Sequence, residues 1–181
     1  MTYYGAQELA ASFRTVRKNT IIIAQEIGEE HYGFHAAPGV RSVAETLIHI
    51  AVTPRMPYQI HAVDHLSDLS KFDFFTFFGG LIMLEKSPHT KTQIVGLLQE
   101  EGDRFAGWLN SLNDEFLGEF VTMPPGMGDT KSRFEMMLGA KEHEMHHRGQ
   151  LMLTERILGI TPHMTREMEA RIAEIQAKAS A

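Results

Sequence analysis

The residues most capable of chemistry in this sequence are its ten histidines. Two imidazoles four residues apart on an α-helix project from the same face on adjacent turns, where they can share a metal ion. Because ten histidines produce such spacings by chance, a metal site also requires that the pair lie on a helix. Three pairs have the spacing: His31 with His35, His61 with His65, and His143 with His147.

The surroundings of the first two pairs favour a simpler interpretation. His31 and His35 flank a glycine in a segment rich in turn residues, which predicts a loop. His61 and His65 follow two prolines, although a helix could resume there. For both pairs solvated surface histidine is the more economical reading.

The third pair interrupts an apolar stripe. Burying two unpaired imidazoles is unfavourable unless their nitrogens find partners, and one metal ion satisfies both rings. Core histidines that are each hydrogen-bonded to a neighbouring helix are the open alternative. Gln150 lies on the same side of the helix as His143 and is a candidate for orienting a ligand. The stripe consists of Met136, Ala140, His143, His147, Leu151, Thr154 and Leu158.

Two ligands leave a site incomplete, and His49 is the best candidate for a third. It lies within the apolar segment 47–52 and shares a helix face with Glu45, Thr46 and Thr53. This half-polar face suits a solvent-accessible pocket, and Glu45 is a second candidate for orienting a ligand. Three neutral imidazoles around an open coordination position are typical of catalytic metal sites. The sequence assigns no catalytic residue beyond these ligands.

Residues 143–147 also read His-Glu-Met-His-His, a literal match to the zinc metallopeptidase motif. Glu167, twenty residues after His147, is where some of those enzymes place a third ligand. The motif is short, and we find no edge strand before it that could bind a peptide. In a helical bundle we expect Glu144 to be a surface residue.

Composition limits the remaining function classes. A formal net charge of −6, from 17 basic and 23 acidic residues, argues against nucleic acid or an anionic membrane as the main partner. The absence of cysteine excludes thiolate catalysis and cysteine-based zinc sites, and it favours a reducing compartment. The most apolar stretch, residues 74–84, is too short to cross a bilayer. We therefore expect a cytoplasmic protein with no membrane or nucleic-acid partner.

Helical patterns dominate the elements that must position the histidines, and they predict an all-α four-helix bundle with an additional C-terminal helix. We expect one domain over residues 1–181, with a core of about 6–161 and the last helix in 162–181. Segment 69–86 cannot be assigned, and its five phenylalanines (72, 74, 75, 77 and 78) favour core or dimer packing over substrate binding. The predicted helices are 6–29, one from Ser42 broken near Pro54 and Pro57, one from Ser87-Pro88 to Asn113, one from Ser132 to Gly159, and 164–178, with loops at 31–41 and 122–130.

Several of these segments together resemble a known family. Residues 143–151, His-Glu-Met-His-His-Arg-Gly-Gln-Leu, and residues 38–49, from Pro-Gly-Val-Arg-Ser to Leu-Ile-His, are similar to the two markers of the DinB/YfiT-like metalloenzymes. The loop at 124–126 and the helix end at 158–160 also fit. The resemblance covers roughly residues 6–161.

The resemblance implies a four-helix bundle, often a homodimer, with one divalent ion held by His49, His143 and His147. Zinc and nickel are the usual ions, and imidazole ligands suit both. Some relatives are transferases or isomerases that use low-molecular-weight thiols such as bacillithiol or mycothiol. The prolines after His49 and the aromatic segment 72–78 depart from the family pattern and leave the pocket, and hence the small-molecule substrate, open.

Three functions are compatible with this sequence. The leading one is a metal-dependent thiol S-transferase, in which the ion activates the thiol of a substrate. The second is a hydrolase in which the ion activates water. The third is a non-catalytic metal- or ligand-binding stress protein.

Overall fold

The computed structural model describes residues 4–180, and their fold is the expected all-α bundle. The helices are α1 (Ala6–Glu26), α2 (Val43–Val52), α3 (Arg55–Tyr58), α4 (Phe74–Lys86), α5 (Lys91–Ser111), α6 (Asp114–Gly118), α7 (Arg133–Ile157) and α8 (His163–Ala179). The short elements are 3-10 turns at Glu29–His31 and Leu69–Lys71, a π-helical turn at Gln59–Val63, and strands β1 (Phe120–Thr122) and β2 (Thr130–Ser132). Helices α1, α2, α5 and α7 pack together as the bundle.

Side-chain caps define where the main helices begin. The Ser42 hydroxyl accepts from the Glu45 backbone N–H, and the Glu45 carboxylate accepts from the Ser42 N–H, which forms a capping box. At α7, where Ser132 and Glu135 have the same spacing, only half of such a box forms. Ser132 accepts from the Glu135 N–H, but the Glu135 carboxylate lies 3.4 Å from the ammonium group of Lys131 instead.

Helix α5 starts later than the sequence indicated. The Ser87-Pro88 pair is not its beginning, because Thr90 and Gln93 form a reciprocal capping box immediately before Lys91. Helix α1 likewise ends at Glu26, before the predicted residue 29. The end of α7 is as expected: Gly159 has φ +79°, and the Ile160 N–H donates to the Glu155 carbonyl at 2.8 Å.

Buried side chains form one core cluster at each end of the bundle. At one end Ile23, Leu47, Ile94 and Leu151 bring α1, α2, α5 and α7 together. At the other end α1, α5 and α7 pack around Phe13 and other buried residues. One face of α1 is buried throughout, and it consists of Leu9, Phe13, Val16, Thr20 and Ile23. Among residues 4–180 no helix is both long and apolar enough to span a membrane.

The chain after α2 breaks near Pro54, as predicted, whereas Pro57 lies within α3 and does not interrupt it. A turn at Thr53 and Pro54 leads into α3 and then into the π-helical turn, which ends at Val63. His65 lies beyond this end with φ +47°, a left-handed conformation. Because the helix does not continue to His65, His61 and His65 do not share a face.

The unassigned aromatic segment forms a helix. The Asp73 carboxylate accepts from the Thr76 N–H at 3.0 Å and begins α4, which packs against α2. Its phenylalanines divide between two environments, because Phe77 packs on the bundle core whereas Phe75 is 92% exposed. Near the C-terminal end of α4, Glu85 is buried.

Candidate metal centre

A buried arginine fixes the two helices that carry the centre. The Arg17 guanidinium of α1 donates to the Glu144 carboxylate of α7 at 3.0 Å, to the Ile50 carbonyl of α2 at 3.1 Å and to the Leu98 carbonyl of α5 at 2.7 Å. Ile50 follows His49 directly, and Glu144 follows His143. One guanidinium therefore positions the backbone beside two of the candidate ligands.

His49, His143 and His147 lie against one another. Their ring centroids are 4.6–4.8 Å apart, and one nitrogen from each ring lies within 4.8 Å of the other two. Nε2 of His49 and Nε2 of His143 are 3.0 Å apart, and two nitrogens on a tetrahedral zinc lie about 3.4 Å apart at bond lengths of about 2.1 Å. Small ring rotations thus bring all three nitrogens to bonding distance of one ion. Within residues 4–180 no other group of histidine or carboxylate side chains is arranged in this way.

The outer nitrogens of two rings are held by acceptors. Nδ1 of His49 lies 2.6 Å from Oε1 of Glu85, and Nδ1 of His147 lies 2.8 Å from Oε1 of Gln150. An N–H at Nδ1 donates to each oxygen and leaves the Nε2 lone pair directed inward. This tautomer is the one that metal coordination requires, and an oxygen acceptor on the outer nitrogen is typical of metal-binding histidines.

The two residues that the sequence proposed as orienting groups have different roles in the structure. Gln150 contacts His147, whereas Glu45 is occupied as the cap of α2 and does not reach the three rings. The carboxylate on His49 is instead Glu85, whose side chain is 7% exposed and which also accepts from Nε of Arg41 at 2.8 Å. The available sequence signal was an isolated carboxylate at the end of the apolar run 81–84.

The surroundings keep the three rings neutral. Burial, and then the positive charge of neighbouring groups such as His147 and His49, lowers the pKa of His143 to about 4. Burial also lowers the pKa of His49 and of His147, although hydrogen bonds to Glu85 and Gln150 oppose the shift. Neutral imidazole is the form that coordinates a metal ion, so the residues fit the divalent ion that the sequence implied.

The centre borders a cavity of about 640 Å³. His147, Gln150 and Glu85 contribute to its wall, together with apolar side chains from α2, α4, α7 and the loop before α2. This volume lies within the usual range for small-molecule sites, which is roughly 300–1,000 Å³. A small organic molecule in the cavity would therefore lie beside His147, one of the three histidines.

The peptidase interpretation does not fit this geometry. Glu144 is 1% exposed and paired with Arg17, so the prediction that it is a surface residue was wrong. It faces the bundle interior rather than the cavity, where a general base would have to act. Glu167 is exposed on α8 and does not belong to the histidine cluster.

The other predicted pairs do not form sites. His61 is completely buried against Arg133, while the His65 side chain is 60% exposed. His31 lies in a 3-10 turn, and Nδ1 of His35 lies 2.9 Å from the Val40 carbonyl oxygen. The interpretation of these two pairs as solvated surface histidines is therefore wrong for His61.

Comparison with known proteins places this centre in a family. Residues 12–151, which contain all three histidines, match the DinB superfamily. The chain belongs to the DinB superfamily. The protein YjoA of Bacillus subtilis, described as uncharacterized, is 21% identical over 156 residues, which cover 86% of this chain and 92% of YjoA.

Solved structures share the fold. The crystal structure of YjoA, described as DinB-like, has a TM-score of 0.63 at 21% identity and covers 85% of this chain and 94% of that one. An uncharacterized protein from Clostridium difficile 630 has a TM-score of 0.66 at 14% identity, covering 87% of this chain and 99% of its own. A Streptococcus pneumoniae protein has a TM-score of 0.66 at 16% identity, covering 87% and 93%.

Proposed function

We propose that this DinB superfamily member is a metal-dependent enzyme, a thiol S-transferase that binds one divalent ion, zinc or nickel, through His49, His143 and His147. The observation that supports this most strongly is the convergence of three inward-facing nitrogens beside a cavity large enough for a substrate. Three protein ligands leave a coordination position for an exogenous group, as in catalytic rather than structural sites.

The chain's own residues prepare that position. Glu85 keeps a proton on Nδ1 of His49, and Gln150 keeps one on Nδ1 of His147, so both rings present Nε2 as a lone pair. Apolar side chains form much of the cavity wall beside it. A divalent ion bound here would supply the Lewis acidity that lowers the pKa of a thiol.

The proposed reaction needs a thiol from a substrate, since the chain contains no cysteine. In it a low-molecular-weight thiol R–SH reacts with an electrophile R′–X. The S–H bond breaks and a C–S bond forms as the C–X bond breaks. The leaving group X departs with the bonding electron pair and combines with the released proton, giving R–S–R′ and HX.

Thiol consumption tests the proposal. Protein loaded with zinc or nickel would be mixed with bacillithiol, mycothiol or cysteine and with the electrophile chlorodinitrobenzene. We expect product formation that His147→Ala abolishes and His65→Ala, an exposed histidine outside the centre, leaves unchanged. Full activity in His147→Ala would overturn the proposal. Turnover of an ester substrate without thiol would point to a hydrolase instead.

A further inference from the structure

We propose that the cavity beside the metal centre is a site for an organic acid with a hydrocarbon body, whose carboxylate pairs with Arg41. This inference deepens the proposed function, because it names the chemical class of the substrate that lies next to the histidines. It depends on three features of the cavity: an arginine with unused donors, carboxylates that are already occupied, and a partly exposed apolar wall.

Arg41 is held in place at Nε and has further N–H groups that can donate. Its Nε donates to Oε2 of Glu85 at 2.8 Å, which orients the guanidinium on the cavity wall. Among residues 4–180 no acceptor bonds to either of its Nη groups, and the side chain is 40% exposed. A guanidinium held at Nε presents its remaining N–H groups in a plane, which is the geometry that recognises a carboxylate.

The acidic residues of the cavity do not compete for these donors. Glu85 already accepts from Arg41 and from His49, and it is nearly fully buried. Glu45 accepts from the Ser42 N–H, and Lys86 lies near enough to lower the pKa of this carboxyl, after the stronger effect of the Ser42 hydrogen bonds. The formal charges of Arg41 and Lys86 thus balance two carboxylates. A divalent ion at the histidines would make the wall net positive.

The rest of the wall suits a hydrocarbon chain. Four of its large apolar side chains remain substantially exposed, namely Val40 at 45%, Ile82 at 44%, Leu153 at 59% and Ile157 at 52%. They come from the loop before α2, from α4 and from α7. A contiguous exposed apolar surface that lines a concave site is typical of ligand binding. Together with Arg41, it selects a molecule with an anionic end and an apolar body.

Binding of octanoate tests the inference, with octanol and octylamine as matched probes of the same chain length. Calorimetric titrations would use the protein both metal-loaded and metal-free. We expect octanoate to bind wild type at least about tenfold more tightly than either neutral or cationic probe, since charged hydrogen bonds contribute roughly 1.5–3 kcal/mol. Arg41→Gln should remove that preference, and Arg41→Lys should restore it in part. Arg171→Gln, at an exposed position on α8, is the control.

Each outcome separates this inference from the proposed function. Equal binding of octanoate and octanol, or unchanged octanoate binding in Arg41→Gln, would overturn the anion site. Ile157→Glu should weaken the binding of octanoate and of octanol. An unchanged affinity for them would show that the apolar wall is not used. Octanoate binding that depends on Arg41, in a protein that takes up no metal, would support the acid site while overturning the metal-dependent function.

Discussion

Two histidine-containing clusters in this protein are built from the same stretches of chain and have opposite character. His49 and His61 lie on the segment that begins with α2, and each meets a residue of α7. At the metal centre His49 meets His143 and His147, beside a cavity. In the second cluster His61 meets Arg133, whose Nη1 lies 2.6 Å from Nδ1 of the ring.

The difference lies in what satisfies the imidazole lone pair. Arg133 is 1% exposed and donates an N–H to His61, so the protein supplies its own cation there. Arg133 also donates to Glu119 at 2.8 Å, so the second cluster includes this carboxylate. At the metal centre three imidazole nitrogens lie within 4.8 Å of one another, and no arginine or lysine among residues 4–180 donates to them. A buried histidine becomes a candidate ligand where the fold leaves its lone pair for an external cation.

The largest expected difference between the clusters is in metal binding. We expect about one divalent ion per chain in the wild-type protein, and metal content near zero in His143→Ala and in His147→Ala, because two imidazoles hold an ion far more weakly than three. His61→Gln should retain the full metal content. Elemental analysis after dialysis measures each variant, with circular dichroism to confirm folding. Loss of metal in His61→Gln would contradict the conclusion that only the first of the two clusters binds the ion.

The second cluster should matter for stability instead. Replacing Arg133 with Met breaks its ion pair with the half-exposed Glu119 and leaves the buried Nδ1 of His61 without its donor. We expect the free energy of unfolding to fall by about 1–3 kcal/mol, since a buried acceptor is left unsatisfied. Urea unfolding of the metal-free protein measures the change. The exposed Arg171→Met should change stability little, and an equally small effect of Arg133→Met would mean that the cluster is not structural.

Two glutamates, one that contacts a histidine of the metal centre and one that does not, test which contacts support metal binding. Glu85→Gln weakens the acceptor on His49, and we expect metal affinity to fall about tenfold to a hundredfold, as for other outer partners of ligands. Glu45→Gln should leave metal affinity unchanged, because Glu45 caps α2 and does not contact the rings. It should lower stability by about 0.5–1 kcal/mol. Competition with a chromophoric chelator measures the affinities, and equal losses in the two variants would contradict the roles assigned here.

The sequence was informative where function depended on a helix face. His143 and His147 could be recognised because they interrupt an apolar stripe, and His49 because it lies in an apolar segment. The four main helices followed from caps and periodicity in the same way. These signals are local, so neighbouring residues are enough to reveal them.

Long-range partners could not be predicted. The burial of Glu144 depends on Arg17, which is 127 residues away in the chain, and no local pattern indicates that pairing. Glu85 was missed because α4 contains two adjacent glycines and five phenylalanines lie in or beside it, which obscures the helical period. The sequence predicted a break at the prolines and a helix that resumes toward His65, whereas the π-helical turn ends at Val63 and leaves His65 outside it.

The remaining expected effect concerns pH. Burial, and then the positive charge of Arg133, lowers the pKa of His61 to about 3, against about 6.5 in an unfolded chain. Between these values the unfolded state binds a proton that the folded state does not, so stability is unaffected above about pH 6.5 and decreases as the pH falls below it, by up to about 1.4 kcal/mol per pH unit.

Metal-free protein with and without His61→Gln separates this contribution from others. The three histidines of the metal centre are present in both proteins, so their titration cancels in the difference if the sites are independent. We expect the free energy of unfolding, measured in urea from pH 7 to pH 5, to fall more steeply in the protein that retains His61. Equal slopes would mean that His61 accepts a proton in the folded state. The ring would then lack the permanent arginine partner that distinguishes it from the metal-centre histidines.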